Sequence, residues 1–344
     1  MVLPFIFVIG TKGGKCHYLN TDQIIEQKSD EVTAMKAIRF HQYGGPEQLV
    51  LDELPIPRIE PNEVLVRVKA AGVNPADYKF RAGWFKDFVD LALPFIPGAD
   101  FSGTIEQVGS HVDGFKPGDD VFGMRDVQVG GSYAQYLAVG SHGIAIKPNR
   151  LSHAEAAAVP LAALTAWSAL FDHGRLEKGQ RILIHAASGG VGVFAVQLAR
   201  LAGAEVIATT STANVDFVRS LGAAQVIDYR RVDFASVVRE VDVVLDALGG
   251  ETQAQSLTTL RPKGVLVTLQ PPGVDDALSE GMQVRTALVA VSADGARTAQ
   301  LAALLETGAL KAVIDQQFPL ADAARAHVRS ESGRARGKIV LTID

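Results

Sequence analysis

One stretch of the chain reads Arg181-Ile-Leu-Ile-His-Ala-Ala-Ser-Gly-Gly-Val-Gly-Val-Phe-Ala-Val-Gln-Leu-Ala199. Residues 182–184 form an apolar run, which is typical of a strand that is buried on both faces. The small residues 186–192 then predict a tight turn, and the apolar residues after it recur at helical spacing. A strand, a turn and a helix start together bind anions, because unpaired backbone N–H groups and the positive end of the helix dipole face one point.

The glycines of this turn have the spacing of a dinucleotide fingerprint, Ala187-x-Gly189-x-x-Gly192, with alanine at the first glycine position. Such a turn needs glycine because a side chain would keep a pyrophosphate away from the backbone. The pattern alone is weak evidence, since a glycine-rich turn can join any strand to any helix. The following chain predicts a doubly wound parallel sheet, because helices alternate there with apolar strands at 205–208, 225–227, 242–245 and 265–269.

The composition excludes several classes of protein. A net charge of −5 gives no reason to expect nucleic acid as a partner. The single cysteine, Cys16, excludes an internal disulfide framework and a zinc site built from cysteines, and it favours a reducing, cytoplasmic location. No apolar run reaches the roughly 18 residues that span a bilayer, so no membrane partner is predicted. The length of 344 residues predicts about two domains.

The first part of the chain has the pattern of an antiparallel barrel. Between residues 35 and 148, short strands alternate with glycine and proline turns, and we predict strands at 48–53, 63–71, 103–108, 120–123 and 133–139. Residues 1–34 differ in character, and Met35 has the features of a natural chain start. We therefore expect residues 1–34 to be a leader or an extension.

The pattern of the last part of the chain is compatible with strands that join this barrel. Helical patterns cover 297–305 and 321–329, and strand patterns cover 311–318 and 338–341. We therefore expect a discontinuous barrel domain and one inserted cofactor domain. The predicted boundaries are 35–155 with 309–344 for the barrel, and 156–308 for the cofactor domain.

The second strand of the cofactor domain bears on the choice of dinucleotide. A site for NAD usually has an acidic residue about 20 residues past the fingerprint. Here the strand is followed by a predicted hydroxyl-rich turn, Thr209-Thr-Ser-Thr212, and the first carboxylate is that of Asp216. Hydroxyl groups can donate hydrogen bonds to a 2′-phosphate, whereas a carboxylate would repel it, so the sequence favours NADPH. A loop of small polar residues is the alternative. Positive charge could come from Arg219, Arg230 or Arg231.

No local motif supports metal or nucleophilic catalysis. The eight histidines include no His-x-x-x-His pair, and without cysteines near them a catalytic zinc is not expected. His185, at the end of the first strand of the cofactor domain, is predicted to be structural. Neither Tyr-x-x-x-Lys nor Gly-x-Ser-x-Gly occurs in the sequence, which argues against a short-chain dehydrogenase and against a serine hydrolase.

Several ordered motifs carry a resemblance to a known family. They are Ala71-Gly-Val-Asn-Pro-Ala-Asp77, Asp100-Phe-Ser-Gly103, Gly131-Ser-Tyr-Ala-Gln-Tyr136, Pro160-Leu-Ala-Ala-Leu-Thr-Ala-Trp167, Ala186-Ala-Ser-Gly-Gly-Val-Gly192 and Gly337-Lys-Ile-Val340. With these motifs, residues 35–341 resemble the medium-chain dehydrogenases/reductases, in the zinc-independent quinone oxidoreductase (zeta-crystallin-like) branch. The resemblance implies an α/β protein with a GroES-like catalytic barrel and a Rossmann cofactor domain. It also implies a zinc-free site, because zinc-dependent relatives carry cysteine at Asn74 and Gly-His-Glu at Gly98-Ala-Asp100.

The same resemblance implies residues for the cofactor and the acceptor. Asn74 would lie beside the nicotinamide and Thr165 at its carboxamide side. The pyrophosphate would be held by Ser188, Gly189, Gly190 and Val191, and the 2′-phosphate would lie near Ser211 and Tyr229. The weaker assignments to the remaining cofactor wall are Leu248, Gln270 and Lys338. The acceptor pocket would be walled by Asn74, Tyr78 and Trp84.

The chemistry implied is hydride transfer from NADPH to a quinone or to the β-carbon of an enone, in which the protein mainly positions donor and acceptor. Tyr78 and Tyr136 are candidate proton donors, and water is a third. An NADPH-binding regulatory or scaffold protein with little turnover is an alternative, as is a reductase domain of a fatty-acid or polyketide synthase. A homodimer is expected through edge strands near 286–291.

Overall fold

A computed structural model describes residues 34–274 and 282–344 of the chain. The predicted leader lies outside the described residues except for Ala34, so its nature stays a prediction. The strands are β1 (Ala34–Arg39), β2 (Val50–Pro55), β3 (Glu63–Val73), β4 (Asp100–Val108), β5 (Asp120–Met124), β6 (Tyr136–Gly140), β7 (Ile144–Ile146), β8 (Arg181–Ile184), β9 (Glu205–Thr210), β10 (Gln225–Asp228), β11 (Val241–Asp246), β12 (Leu260–Thr268), β13 (Arg285–Leu288), β14 (Ile314–Pro319) and β15 (Lys338–Thr342).

The α-helices within the same residues are short, and none of them is long and apolar enough to cross a membrane. They are α1 (Pro75–Arg81), α2 (His153–Ala157), α3 (Pro160–Trp167), α4 (Gly190–Leu201), α5 (Val215–Ser220), α6 (Phe234–Val237), α7 (Gly250–Leu257), α8 (Gly295–Glu306) and α9 (Ala323–Glu331). The predicted capping box at the start of α2 is confirmed, because the Ser152 side chain accepts from the Glu155 N–H and the Glu155 carboxylate accepts from the Ser152 N–H.

The first sheet is a mostly antiparallel barrel built around the long strand β3. Its strand order is β14-β15-β3-β4-β5-β7, and β6 also pairs with β3. Inside the barrel, Val66 and Val68 of β3 pack with Phe101 of β4 and Ile339 of β15. Because Ile339 lies opposite Val73 in an antiparallel pair, the C-terminal strands belong to the same sheet as the first part of the chain. The exact domain boundaries stay a prediction.

The second sheet is parallel throughout, with the strand order β10-β9-β8-β11-β12-β13. Its central strands are apolar because helices cover both faces. On one face Ile182 packs with Phe194 of α4, and on the other Leu183 packs with Phe234 of α6. The predicted fold class, a barrel joined to a doubly wound parallel sheet, is confirmed. β13 lies at the edge of this sheet, in the region predicted for dimer pairing, and the pairing itself stays a prediction.

The turn between β8 and α4 has the close packing that its glycines predict. A Cβ atom at Gly192 would lie 2.3 Å from the carbonyl oxygen of Ala186 and 2.7 Å from the Cα of Ala187. Only glycine therefore lets the helix approach the strand this closely. Ala186 itself has a φ of 50°, in the left-handed region, where the chain leaves the strand.

Candidate active site

A cleft of about 1110 Å³ opens at the carboxyl ends of β8, β9 and β10. Parallel sheets of this type bind ligands at that edge. Five residues predicted to bind the cofactor line the cleft, and they are Ser188, Gly189, Ser211, Tyr229 and Leu248. The side chains of Tyr229 and Leu248 are 56% and 53% exposed, so neither of them is a core residue.

The cleft contains a cradle that fits a pyrophosphate group. Helix α4 has 12 residues, and no side chain caps its N-terminus. Gly190 and Val191 form its first turn, and a Cβ atom at Gly190 would lie only 3.1 Å from the Cδ of Lys338. Glycine at this position avoids a clash with Lys338, and the uncapped start of the helix leaves its first backbone N–H groups for an anion. The residues present fit the pyrophosphate of a dinucleotide.

The end of β9 differs in part from the predicted hydroxyl-rich turn. Thr209 and Thr210 are the last residues of the strand, and both are buried. The Thr210 hydroxyl donates to the Ser188 Oγ at 3.1 Å, and the Thr212 hydroxyl donates to an aspartate at 2.7 Å. The prediction of four turn residues was therefore wrong for the two threonines of the strand. Among the described residues, the hydroxyl hydrogen of Ser211 has no acceptor.

The outer wall of the cleft is basic. Arg230, Arg231, Arg329, Arg334 and Arg336 line it. Arg231 and Arg329 each form an ion pair with an aspartate, at 3.3 and 2.7 Å. In the part of the chain that the structure describes, no carboxylate lies within 4.0 Å of the other three guanidinium groups. Five arginines and two aspartates, Asp233 and Asp315, line the cleft, so its wall has a net positive charge for an anionic ligand.

The origin of this positive charge differs from the prediction. Arg334 and Arg336 come from the barrel segment before β15, and sequence analysis missed them, although the spacing Arg334-x-Arg336-x-Lys338 was a usable signal. Arg219 was expected at the cleft, but it is not among the lining residues. It instead forms an exposed ion pair with Asp216, at 2.6 Å.

A cluster of three buried polar side chains lies where the barrel meets the pyrophosphate turn. Asn74, Asp100 and Lys338 are 4%, 0% and 3% exposed. The Asp100 carboxylate accepts hydrogen bonds from the Lys338 Nζ at 3.1 Å, from the Asn74 Nδ2 at 2.9 Å and from the Leu161 backbone N–H at 2.6 Å. The Lys338 Nζ also donates to the Asn74 Oδ1. The carboxylate and the ammonium group thus compensate each other's charge away from water.

This cluster is joined directly to the pyrophosphate turn. The backbone N–H of Gly337, next to Lys338, donates to the Ser188 carbonyl oxygen at 2.9 Å. The Lys338 side chain also packs beside Gly190. Asn74 and Lys338 were predicted from the resemblance, whereas Asp100 was noted only as part of the missing zinc motif.

A second buried network fixes the backbone behind Asn74. The Asp77 carboxylate accepts hydrogen bonds from the Asn74 N–H at 2.8 Å and from the Tyr133 hydroxyl at 3.0 Å. Burial raises the pKa of the Asp77 carboxyl to about 7. The Tyr133 hydroxyl lies 3.3 Å from the His327 Nε2, and burial, with a smaller contribution from Arg81, lowers the pKa of His327 to about 3. His327 is therefore neutral near pH 7, and the network holds the start of α1 in place.

Two of the residues predicted for the acceptor pocket, Tyr78 and Trp84, lie beside a lysine that sequence analysis missed. The rings of Tyr78 and Trp84 lie edge to face, with centroids 6.2 Å apart. The Lys79 Nζ lies 5.6 Å from the centroid of the Trp84 ring and donates to the Gln270 Oε1 at 3.3 Å. Burial lowers the pKa of the Lys79 ammonium group. Among the described residues no carboxylate lies within 4.0 Å of Lys79, so it brings an unpaired charge to this wall.

Two other predicted site residues, Thr165 and Tyr136, make contacts within the protein. The Thr165 hydroxyl donates to the Leu161 carbonyl oxygen of its own helix, at 2.6 Å, and its contact with a carboxamide stays a prediction. Tyr136 packs in the barrel near Met35, under the guanidinium group of Arg67. We therefore do not propose Tyr136 as a proton donor.

His185 lines the cleft, although its ring is buried. Its Nδ1 lies 2.9 Å from the Thr209 Oγ1, and its Nε2 lies 2.9 Å from the Ser256 Oγ. Burial lowers the pKa of His185 to about 4. Two hydroxyl partners and a neutral ring agree with the predicted structural role. Among the described residues, no group of three or more histidine, cysteine or acidic side chains is placed to hold a metal ion.

Comparison with known proteins identifies the family. Residues 60–149 match the model of the alcohol dehydrogenase GroES-like domain, and residues 221–341 match that of the zinc-binding dehydrogenases. The chloroplastic quinone-oxidoreductase QR1 of Triphysaria versicolor is 36% identical over 323 residues, which cover 89% of this chain and 98% of the relative. The chain belongs to the zinc-independent quinone oxidoreductase family.

Two further comparisons extend this result. The 2-methylene-furan-3-one reductase of Solanum lycopersicum is 36% identical over 320 residues, covering 89% of this chain and 79% of the relative. The crystal structure of the Escherichia coli quinone oxidoreductase complexed with NADPH has a TM-score of 0.81 and 30% identity, covering 89% of this chain and 99% of the other. The fold of this family, a GroES-like barrel with a Rossmann-like parallel-sheet domain, is therefore confirmed.

The side chains at the positions of the zinc ligands explain why the chain belongs to the zinc-independent branch. Catalytic zinc takes thiolate, imidazole and carboxylate ligands. Here the corresponding region supplies the amide of Asn74, the methyl group of Ala99 and the carboxylate of Asp100. The carboxylate is already paired with the ammonium group of Lys338. The donor set therefore does not fit zinc.

The buried ring of His185 predicts a dependence of stability on pH. Its pKa is about 4 in the folded chain and about 6.5 when unfolded, so the unfolded state binds the additional proton between these values. The stability that the neutral ring contributes is present above pH 6.5 and is lost as the pH falls towards 4. We therefore compare the free energy of unfolding of the wild type with that of His185→Gln. The difference between them should shrink by roughly 1.4 kcal/mol for each unit by which the pH is lowered within this window. Urea titrations from pH 7 to pH 4.5 measure this difference, and parallel curves for the two proteins would contradict it.

Proposed function

We propose that the chain is an NADPH-dependent reductase that transfers a hydride to a quinone or to the β-carbon of an α,β-unsaturated carbonyl compound. The observation that carries this proposal is the basic wall of the cleft. Among the described residues no carboxylate lies within 4.0 Å of the guanidinium groups of Arg230, Arg334 and Arg336, which line the same cleft as Ser211. A 2′-phosphate has the charge that such a wall attracts, whereas the bare ribose of NADH does not.

The cofactor would lie across the pyrophosphate turn. Ser188 and the first turn of α4 would hold the pyrophosphate, and Ser211, Tyr229 and the arginines would hold the adenosine end. The nicotinamide end would lie near Asn74, with these residues forming the rest of its wall: Thr165, Leu248, Gln270 and Lys338. Support comes from the Escherichia coli relative, whose structure was solved in complex with NADPH.

The acceptor would lie against Asn74, Tyr78 and Trp84. The dihydronicotinamide, when bound, supplies the hydride. Hydride addition to a quinone or an enone leaves a negative charge on the acceptor oxygen, and the unpaired ammonium group of Lys79 would stabilise it. The names of two relatives, a quinone oxidoreductase and a 2-methylene-furan-3-one reductase, support these two classes of acceptor. A homodimer and a cytoplasmic location remain part of the proposal.

The choice of cofactor is tested by Ser211→Asp. A carboxylate at this position would repel a 2′-phosphate, so we expect the affinity for NADPH to fall by about 10-fold or more, while that for NADH stays within about two-fold. Ser211→Asn, which is nearly isosteric and uncharged, is the matched control and should retain most of the NADPH affinity. Fluorescence titration with both cofactors measures the two constants. A wild type that binds NADH as tightly as NADPH would contradict the proposed preference.

The reaction is tested with a panel of quinones and enones in the presence of NADPH. The wild type should oxidise NADPH with at least one of these classes, and Lys79→Met should lower kcat/KM by about 10- to 100-fold because the oxyanion loses its cation. Lys86→Met, on the exposed loop after α1, is the control and should leave kcat/KM unchanged. NADPH binding without turnover on the whole panel would favour the regulatory or scaffold alternative. Full activity of Lys79→Met would remove Lys79 from the mechanism.

A further inference from the structure

We propose that Asp100 is a positioning residue, which acts with Lys338 to hold the Asn74 carboxamide in a single orientation for the nicotinamide half of the cofactor. This inference rests on the proposed function and adds Asp100 to its site. Asp100 is fully buried, and its two carboxylate oxygens accept from three donors. Because water has no access, these partners alone decide how the charge is compensated.

The charges around Asn74 permit only one orientation of its amide group. In the structure its Oδ1 accepts from the Lys338 ammonium and its Nδ2 donates to the Asp100 carboxylate. Rotation of the amide by half a turn would place N–H groups against the ammonium and the oxygen against the carboxylate. An isolated Asn side chain can adopt both orientations. The ion pair therefore selects between them by electrostatics.

The backbone of Asn74 is fixed independently of this ion pair. Its N–H donates to the Asp77 carboxylate, which also accepts from Tyr133. Rotation of the side chain is consequently the main freedom left to Asn74, and it is the freedom that Asp100 and Lys338 remove. The two networks have different functions, since one places the residue and the other orients its amide.

The oriented cluster retains unused hydrogen-bond donors. An Asn amide nitrogen carries two hydrogens and a Lys ammonium group carries three. Among the described residues, Asn74 Nδ2 uses one of its hydrogens and Lys338 uses two. One N–H of Asn74 and one of Lys338 therefore remain for a ligand. Lys338 packs beside Gly190 and its neighbour Gly337 bonds to Ser188, so such a ligand would lie next to the pyrophosphate turn. The hydroxyl and carbonyl oxygens of a nicotinamide riboside are acceptors of the required kind.

This arrangement separates the two ends of the cofactor site. In the proposed pose the cluster contacts the pyrophosphate turn from the nicotinamide side, whereas Ser211 and the arginines lie on its adenosine side. A ligand that has only the adenosine half should therefore not depend on Asp100. The molecule 2′,5′-ADP is such a ligand, because it has the 2′-phosphoadenosine group and no nicotinamide.

The experiment measures the affinities of NADP⁺ and of 2′,5′-ADP by calorimetry, for the full-length wild type, Asp100→Asn, Lys338→Met and the double variant. We expect each variant to lose about 10- to 100-fold in affinity for NADP⁺, as loss of hydrogen bonds to charged groups predicts. The affinity for 2′,5′-ADP should stay within about two-fold. The double variant leaves no uncompensated charge in this cluster, and binding of 2′,5′-ADP shows that the cofactor domain is folded. Arg67→Met, which breaks a partly exposed ion pair of the barrel, is the control and should change neither affinity.

The outcomes distinguish the positioning proposal from the proposed function. Equal weakening of both ligands in the double variant, or no weakening of NADP⁺, would overturn the role of Asp100 while leaving the NADPH site intact. A wild type that binds neither NADP⁺ nor 2′,5′-ADP would instead overturn the proposed function, and the positioning role with it. Selective loss of NADP⁺ with retained 2′,5′-ADP binding is the result that supports the proposal.

Discussion

The ion pair between Asp100 and Lys338 is the interaction on which the candidate site depends. Both side chains are buried, so removal of either partner would leave a charge that no water molecule can solvate, at a cost of about 3–5 kcal/mol. Asp100 begins β4 and Lys338 begins β15, and both strands flank β3. The pairing of these three strands thus brings the two charges together beside Asn74, and Gly337 connects them to the pyrophosphate turn.

The distribution of charge would give the two ends of the proposed site different functions. At the proposed nicotinamide end the charges of Asp100 and Lys338 compensate each other, which suits a neutral or weakly polar group that must be oriented. At the proposed adenosine end three guanidinium groups have no carboxylate within 4.0 Å among the described residues, which suits a phosphate. The ammonium group of Lys79 lies beside Trp84, at the proposed acceptor wall, where hydride transfer would create negative charge. In the proposed site, binding, orientation and charge stabilisation would come from protein side chains and backbone N–H groups.

Much of this architecture could be predicted from the sequence, because its signals are local. The fingerprint around Gly192, the alternation of strands and helices, and the capping box at Ser152 each depend on residues close together in the chain. Contacts between distant residues carried no such signal. Asp100 meets Lys338 across 238 residues, and Lys79 meets Gln270 across 191. Neither Asp100 nor Lys79 has a spacing that marks it as a site residue, and the strand at Thr209 was misread because its buried hydroxyls have partners that lie in other segments.

A double-mutant cycle on Asp100 and Lys338 tests most directly whether this buried pair maintains the site. The free energies of unfolding of the wild type, Asp100→Asn, Lys338→Met and the double variant would be measured by urea titration at one pH. We predict that the double variant is less destabilised than the sum of the single variants, by at least about 2 kcal/mol, because it leaves no unpaired buried charge. Single effects that add to within about 0.5 kcal/mol would show that the two side chains do not depend on each other, and would contradict this account.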